Sequence, residues 1–396
     1  MISKRMEELG KKRSVIRELF EYGRQRKAEI GEENVFDFSL GNPSIPAPEA
    51  FTATLKKLIA ETEPTALHGY TSAAGDPSVR AKIAESIRER FCAGASAENI
   101  YMTCGAAASL TISLHALINE GDEVILLAPY FPEYRVFCEK AGATVRIVRS
   151  TAPDFIPSAE ALAAAINEKT KAIIINSPNN PTGVIIGEEK MREIIEVLNE
   201  KQKTFGREIY IIADEPYREL SYEKEVPYIP NLYDNTIVCY SFSKSLSLPG
   251  ERIGYIFVSP KAREAENVFA AVLGAGRALG FVCAPSLMQF AIGETLGLTS
   301  DIEQYRQNRD LLYSALTDMG YKAVFPDGAF YLFLRALGGN AEEFCERAKK
   351  YELLLVPGDS FGGEGYVRIS YCVSREQIER SLPAFQKLFN DFKGDK

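Results

Sequence analysis

The sequence is poor in histidine and has no long apolar run. It has only two histidines, His68 and His115, so metal or triad chemistry based on histidine has almost no material. Seven scattered cysteines, never spaced C-x-x-C, favour reduced thiols over a disulfide framework or a zinc site. No apolar run of about eighteen residues occurs, and the charged N-terminus lacks the apolar stretch of a secretory signal. We therefore predict a cytoplasmic chain with no metal site and no membrane attachment.

What is present is an ordinary globular composition with an acidic balance. Of 396 residues, 46% are hydrophobic and 25% are charged, which is typical of a folded protein. The net charge of −8 argues against nucleic acid or an anionic membrane surface as the main partner. The length suggests roughly two to three domains, and an enzyme of two domains fits it.

One lysine, Lys244, lies where open α/β sheets bind their ligands. The apolar residues 236–240 predict a buried strand, and Ser241, Lys244 and Arg252 follow its carboxyl end. We expect a polar turn here rather than a helix, and a solvated lysine is the simplest interpretation of the segment alone. A strand-end crevice could instead desolvate the amine, so that Lys244 forms a Schiff base with an aldehyde while Ser241 and Arg252 bind a phosphate. Lysine, aldehyde and phosphate together point to pyridoxal 5′-phosphate as cofactor.

Two other predicted strands end in residues that suit the same cofactor. Residues 100–103 lead into the small residues 105–107 at the start of a helix, where free N–H groups and the helix dipole favour an anion. Residues 209–213 lead into Asp214, and an acid at the mouth of a buried strand is costly unless a positive group meets it. A pyridinium N–H is such a group, whereas a helix cap is the alternative role for Asp214.

Other patterns predict the elements around this site. Ser14 is placed to cap a helix, residues 35–40 indicate a short strand, and residues 261–273 indicate a helix. The glycines of 274–280 mimic a dinucleotide fingerprint, but a helix precedes them and the last glycine is displaced, so we reject that motif. Within that stretch, Arg277 is interpreted as a surface residue.

The S-F-S-K sequence at 241–244, followed by Arg252 and then Ile-Gly, resembles the signature of the fold-type I, class I aminotransferases. The order and spacing of further motifs resemble that family from Gly41 to Arg368. The resemblance implies a pyridoxal-phosphate-dependent enzyme with an α/β fold. It also implies a homodimer whose active sites lie at the subunit interface.

The resemblance further implies a division of the chain into two domains. A large cofactor-binding domain, with a mostly parallel seven-stranded sheet, is expected over residues 49–290. A small α+β domain is expected to combine the N-terminal segment, 1–48, with residues 291–396.

Each candidate site residue has a role that the resemblance implies. Lys244 forms the Schiff base, Asp214 meets the ring nitrogen, Asn180 and Tyr217 donate to the phenolic oxygen, and Phe131 stacks on the ring. The phosphate ligands are expected to be Gly105, Ala106, Ala107, Ser241, Arg252 and, from the other subunit, Tyr70. The residues expected to meet the substrate are Gly41, Asn180 and Arg368.

The reaction implied is transfer of the amino group of an L-amino acid to a 2-oxo acid, expected to be 2-oxoglutarate, in a ping-pong sequence. Aspartate, aromatic amino acids and alanine all stay open as donors, because many aspartate-preferring members have a polar residue where this chain has Ala107. One alternative is a pyridoxal-phosphate-dependent lyase, of the C–S β-elimination or cyclopropane amino acid synthase type, with the same residues. Another is a non-catalytic regulator, although the chain has no stretch for an attached DNA-binding module.

Overall fold

A computed structural model describes residues 2–11 and 15–394 of the chain. The predicted cap at Ser14 lies outside the described residues, and the helix that follows is described from Val15 onward. In chain order the strands are β1 (Phe36–Asp37), β2 (Ile100–Thr103), β3 (Glu123–Ala128), β4 (Thr144–Arg149), β5 (Thr170–Asn176), β6 (Tyr210–Asp214), β7 (Thr236–Ser241), β8 (Gly254–Val258), β9 (Ala323–Val324), β10 (Tyr331–Arg335), β11 (Leu353–Leu354), β12 (Val356–Pro357) and β13 (Tyr366–Ser370).

Fifteen α-helices of the described residues accompany these strands. In chain order they are α1 (Lys4–Lys11), α2 (Val15–Ile30), α3 (Glu49–Glu61), α4 (Pro64–His68), α5 (Pro77–Phe91), α6 (Ala106–Leu117), α7 (Glu133–Lys140), α8 (Ala159–Ala165), α9 (Glu188–Phe205), α10 (Phe242–Ser245), α11 (Ala265–Leu279), α12 (Ser286–Thr295), α13 (Ile302–Met319), α14 (Ala341–Lys349) and α15 (Arg375–Gly394). No helix of the described ranges is both long and apolar enough to cross a membrane.

The largest sheet has seven strands in the order β2-β8-β7-β6-β5-β3-β4. Strand β8 runs antiparallel to both of its neighbours, and the other pairings are parallel. Its central strands are almost wholly buried because helices cover both faces, which explains their unbroken runs of β-branched residues such as 173–175. The predicted α/β fold with a mostly parallel seven-stranded sheet is confirmed.

A second, antiparallel sheet has the order β12-β13-β10-β9, and β1 pairs with β11 in parallel. Phe38 and Ile45 pack into the same apolar cluster as α13, α14 and α15, so the N-terminal segment contacts the C-terminal third of the chain. The domain boundaries at 48 and 290 stay predictions.

Two predicted elements differ from the structure. The strand expected over 35–40 is limited to β1. Just beyond it, Asp37 Oδ1 accepts hydrogen bonds from Ser39 N at 3.0 Å and from Ser39 Oγ at 2.6 Å, a local side-chain contact that competes with strand pairing. The helix expected over 261–273 is instead α11, shifted toward the C-terminus. Glu264 has φ of 55° and prevents an earlier start.

The glycine-rich stretch 274–280 belongs to α11 and its cap rather than to a loop. Gly276 is required there, because a Cβ would lie 2.2 Å from the Tyr101 hydroxyl. Gly280, with φ of 77°, ends the helix in the left-handed conformation that glycine favours. Rejection of the dinucleotide motif is therefore correct.

Candidate active site

A cavity of about 290 Å³ lies at the carboxyl ends of β5, β6 and β7, beside the start of α6. Parallel strands bring their carboxyl ends to one edge of a sheet, which is where open α/β sheets bind ligands. Most of the predicted site residues line this cavity, namely Gly41, Ala106, Ala107, Phe131, Asn180, Asp214, Tyr217, Ser241, Lys244, Arg252 and Arg368.

Lys244 projects into the cavity from the single-turn helix α10. The expectation of a turn without a helix is wrong, because Ser241 caps this helix by accepting a hydrogen bond from Ser243 N at 3.2 Å. Lys244 Nζ donates to the Gly41 carbonyl oxygen at 2.6 Å and lies 5.4 Å from the centre of the Phe330 ring. No carboxylate of the described residues is among the charged groups that act on it.

Burial lowers the pKa of Lys244 to about 8, since the desolvated charged form is disfavoured. The positive charges of Arg252 and Arg368 act in the same direction. About a tenth of the amine is therefore neutral at pH 7, far more than for an ordinary lysine, and the neutral amine is the form that attacks an aldehyde carbon.

Asp214 ends β6 and is only 5% exposed. Its Oδ2 accepts a hydrogen bond from the Tyr134 hydroxyl, whereas its Oδ1 is buried and has no hydrogen-bond partner. Burial raises the pKa of Asp214 to about 7 because the charged form is desolvated. A buried acceptor without a donor in the wall of a cavity fits a ligand that brings its own cationic N–H group.

Arg368 on β13 is 2% exposed and also has an unused group. Its Nη1 donates to Asn180 Oδ1 at 3.1 Å and its Nη2 to the Ser39 carbonyl oxygen at 2.5 Å, whereas Nε is buried without a partner. Asn180 is itself held in place, because its backbone N–H donates to Asn176 Oδ1 at 2.8 Å. The cavity thus has a fixed guanidinium at one side.

Two tyrosines line the cavity together with Lys244 and Arg368. The Tyr217 and Tyr331 hydroxyl oxygens are 2.8 Å apart, and the Arg368 guanidinium lies 4.8 Å from the centre of the Tyr331 ring. Gly41 contacts the same tyrosine so closely that a Cβ at this position would lie 2.1 Å from the Tyr331 hydroxyl oxygen. Glycine is therefore needed at 41 for a close approach.

The turn before α6 has the geometry expected of an anion site. Gly105 caps the helix with φ of 87°, and a Cβ there would lie 2.9 Å from Arg252 Nη2. Ala106 and Ala107 form the first turn, in which backbone N–H groups have no partner within the helix. The Arg252 side chain is held beside this turn by a 3.0 Å hydrogen bond from Nη1 to the Pro249 carbonyl oxygen.

Phe131 and Tyr70, two of the predicted site residues, differ in their position relative to the cavity. Phe131 lines it and packs edge-on against Tyr134, with ring centres 5.6 Å apart. Tyr70 lies outside the cavity and is 98% exposed, so in a single chain it contacts none of the other candidate residues.

Sequence reasoning missed two residues of this site, Tyr134 and Tyr331. Tyr134 lies in the first turn of α7, three positions after Phe131, which precedes the helix. Tyr331 begins β10 and carried no sequence signal apart from its aromatic ring. Within residues 2–11 and 15–394, no group of three or more metal-ligating side chains is placed to bind an ion.

Comparison with known proteins agrees with this geometry. The sequence profile described as "Aminotransferase class I and II" matches residues 33–385. The chain is 31% identical over 398 residues to an aspartate aminotransferase of Thermotoga maritima, which covers 98% of this chain and 100% of that protein. The structure of this chain is similar to that of an amino transferase from Eubacterium rectale, with 52% identity, a TM-score of 0.97 and 99% of each chain covered.

A more distant solved structure is the aspartate aminotransferase of Thermus thermophilus with maleate, at 26% identity, a TM-score of 0.86 and coverage of 98% of this chain and 99% of that chain. Fold and cavity together define a pyridoxal-phosphate-dependent transferase. The chain belongs to the class I and II aminotransferase family. It is a pyridoxal-phosphate-dependent aminotransferase, and the unpartnered Oδ1 of Asp214 fits the ring nitrogen of that cofactor. The predictions of family, cofactor and enzyme class are confirmed, and transamination is favoured over the lyase and regulator alternatives.

Proposed function

We propose that this aminotransferase moves the amino group of an L-amino acid to a 2-oxo acid such as 2-oxoglutarate in a ping-pong sequence that depends on Lys244. The observation that carries this proposal is that two groups, one from Lys244 and one from Asp214, line the same cavity. A lysine amine with a lowered pKa and the unpartnered oxygen of Asp214 both face the same space. These are the two protein groups that pyridoxal phosphate needs.

When bound, pyridoxal phosphate supplies a sink for the electron pair left on the substrate α-carbon. Lys244 Nζ would hold the cofactor covalently until the amino group of the substrate replaces it. The released amine, neutral in part near pH 8, would then take the α-proton as a general base. Asp214 Oδ1 would accept the ring N–H and keep that nitrogen protonated.

The other residues would orient the cofactor. Asn180 and Tyr217 would donate to its phenolic oxygen, and Phe131 would pack on its ring face. The phosphate ligands would be Gly105, Ala106, Ala107, Ser241 and Arg252. Support for this set comes from the helix start at α6 and from the guanidinium beside it.

A homodimer would complete this site. Tyr70 is an exposed aromatic side chain in the single chain, which fits a residue that contacts the partner subunit. In the dimer it would donate its hydroxyl to the cofactor phosphate of that subunit. The two-domain division at residues 48 and 290 belongs to the same proposal.

The substrate α-carboxylate would bind Arg368, beside the Gly41 loop. We expect Arg368→Lys to raise KM for the amino acid about 10- to 100-fold with a smaller change in kcat, because an ammonium group cannot reproduce the two-pronged contact of a guanidinium. Steady-state kinetics with both substrates varied would measure this. A matched control is Arg263→Lys, an exposed ion-paired arginine away from the cavity. An unchanged KM for Arg368→Lys would contradict the carboxylate role.

Among the three donor classes left open by the sequence, the cavity favours an apolar side chain. The cations that line it in the described part of the chain are Lys244, Arg252 and Arg368, and each already has a role in the proposal. Apolar residues that line the cavity include Ile16, Leu110 and Phe137. An aspartate side chain would therefore need a cation from the partner subunit.

The test is a screen of amino acids for conversion of the bound cofactor to its amine form, read from the absorbance of the holoenzyme. We expect alanine-like or aromatic amino acids to convert it faster than aspartate, with a 2-oxo acid restoring the original spectrum. Faster conversion by aspartate would contradict the proposed donor class. Release of pyruvate and ammonia without a 2-oxo acid acceptor would instead support a lyase.

A further inference from the structure

Tyr331 makes three contacts that join separate parts of the proposed site. Its hydroxyl lies 2.8 Å from the Tyr217 hydroxyl, its ring lies under the Arg368 guanidinium at 4.8 Å, and Gly41 packs directly against it. The side chain is 2% exposed, so water does not compete for these contacts.

The backbone before Tyr331 is held in an unusual conformation. Ala329 has φ of 55°, a left-handed value that costs free energy for a residue with a Cβ. Its carbonyl oxygen accepts hydrogen bonds from the hydroxyls of Tyr222 and Tyr371. This conformation is therefore fixed by its surroundings, and it directs Phe330 toward Lys244 and Tyr331 toward Tyr217.

We propose that Tyr331 is a positioning residue whose hydroxyl donates a hydrogen bond to the Tyr217 hydroxyl oxygen and so strengthens the hydrogen bond that Tyr217 gives to the cofactor. This inference rests on the proposed function, in which Tyr217 donates to the phenolic oxygen of the cofactor. A hydroxyl that accepts one hydrogen bond becomes a better donor of another, because the two bonds polarise each other. The ring of Tyr331 has a separate task, which is to support Arg368.

The charges around the pair are compatible with this direction of donation. The titratable groups that face the two hydroxyls are Arg368, Asp214 and Cys372. Burial raises the pKa of Tyr331 to about 12, so its hydroxyl keeps its proton at working pH. Burial also raises the pKa of Tyr217 well above its ordinary value.

The experiment measures the pH at which the visible absorbance of the bound cofactor changes in the holoenzyme. A stronger hydrogen bond to the phenolic oxygen lowers that midpoint, so Tyr331→Phe should raise it by about half a pH unit. Tyr217→Phe, which removes the direct donor, should raise it by about one unit or more. Tyr321→Phe is the matched control, because it removes a buried hydroxyl that donates to the distant Phe385 carbonyl oxygen, and the midpoint should not move.

Two further comparisons separate the effect of the Tyr331 hydroxyl from the effect of its ring, and test whether the hydroxyl acts through Tyr217. Tyr331→Phe should leave KM for the amino acid unchanged, whereas Tyr331→Leu, which loses the ring under Arg368, should raise KM several-fold. In a Tyr217→Phe background, Tyr331→Phe should cause no further shift of the midpoint.

The outcomes distinguish the role inferred for Tyr331 from the role proposed for Tyr217. A shifted midpoint in Tyr217→Phe with an unchanged one in Tyr331→Phe would overturn the role of Tyr331 alone. An unchanged midpoint in Tyr217→Phe would overturn the proposed role of Tyr217, and the role of Tyr331 would fall with it. A shift by Tyr331→Phe that persists in full without the Tyr217 hydroxyl would also overturn the inference.

Discussion

Replacing Lys244 with alanine is expected to lower the rate of transamination by about 10⁴-fold or more while the fold persists. The variant loses both the amine that holds the cofactor and the base that moves the α-proton. Little stability should be lost, because the only hydrogen bond of Lys244 Nζ in the described structure is to the Gly41 carbonyl oxygen and the charged form is already disfavoured by burial. Single-turnover and steady-state rates, together with circular dichroism, measure both effects.

The matched control for this variant is Lys140→Ala, which removes an exposed lysine at the end of α7. It should have the turnover of the original protein. Added primary amines offer a second check, because a small amine can enter the space left by the side chain and restore part of the proton transfer. Turnover close to that of the original protein in Lys244→Ala would refute the assignment.

Replacing Asp214 with asparagine is expected to lower kcat by about 10²- to 10³-fold. The amide cannot meet the positive charge of the ring nitrogen, and removing one partner of a buried charge pair costs about 3–5 kcal/mol. Tyr134→Phe is the informative comparison, because it keeps the carboxylate and removes only the hydroxyl that donates to Oδ2. We expect a much smaller decrease, of about 10-fold or less. Equal losses in the two variants would contradict a direct role of the carboxylate.

The protein without cofactor gives an independent readout of the same carboxyl group. Its pKa in the folded chain, about 7, lies above the ordinary value of 3.8, so the folded state binds the proton more tightly than the unfolded state. The stabilisation of the folded state by this bound proton is complete below pH 3.8, and it is lost as the pH rises through about 7. Asp214→Asn should therefore raise Tm of the cofactor-free protein at pH 8, and this gain should shrink as the pH falls to about 4. A gain that does not depend on pH would contradict the burial of a charged carboxylate.

The location of the site could be predicted because its residues follow the carboxyl ends of strands that the sequence predicts. Asp214 and Lys244 come directly after apolar runs that only a buried parallel strand explains, and neighbouring parallel strands bring such residues to one edge. The segment 105–107 was predicted for the same reason, since a glycine between a strand and a helix indicates an exposed helix start. Local sequence thus determines these positions, and chain topology brings them together.

The contacts of the site could not be predicted because they depend on residues far apart in sequence. Tyr331 and Tyr217 are 114 positions apart. Their hydroxyls meet where the residues before β10 are hydrogen-bonded to the segment after β6, with Ala329 N–H donating to the Leu220 carbonyl oxygen at 2.7 Å. The left-handed conformation of Ala329 has no sequence signal, since alanine rarely adopts it. The end of α11 was also missed, because glycines at 274 and 276 suggest a break, whereas Gly276 lies inside the helix and packs closely on Tyr101.

The central claim is that the Lys244 amine holds pyridoxal phosphate covalently opposite Asp214. Reduction of the holoenzyme with borohydride, followed by proteolysis and mass spectrometry of the peptides, tests it most directly. The account predicts one cofactor attached per chain, on the peptide that contains Lys244, and no attachment in Lys244→Ala. A cofactor fixed to another lysine, or a protein that stays colourless with added pyridoxal phosphate, would contradict the account.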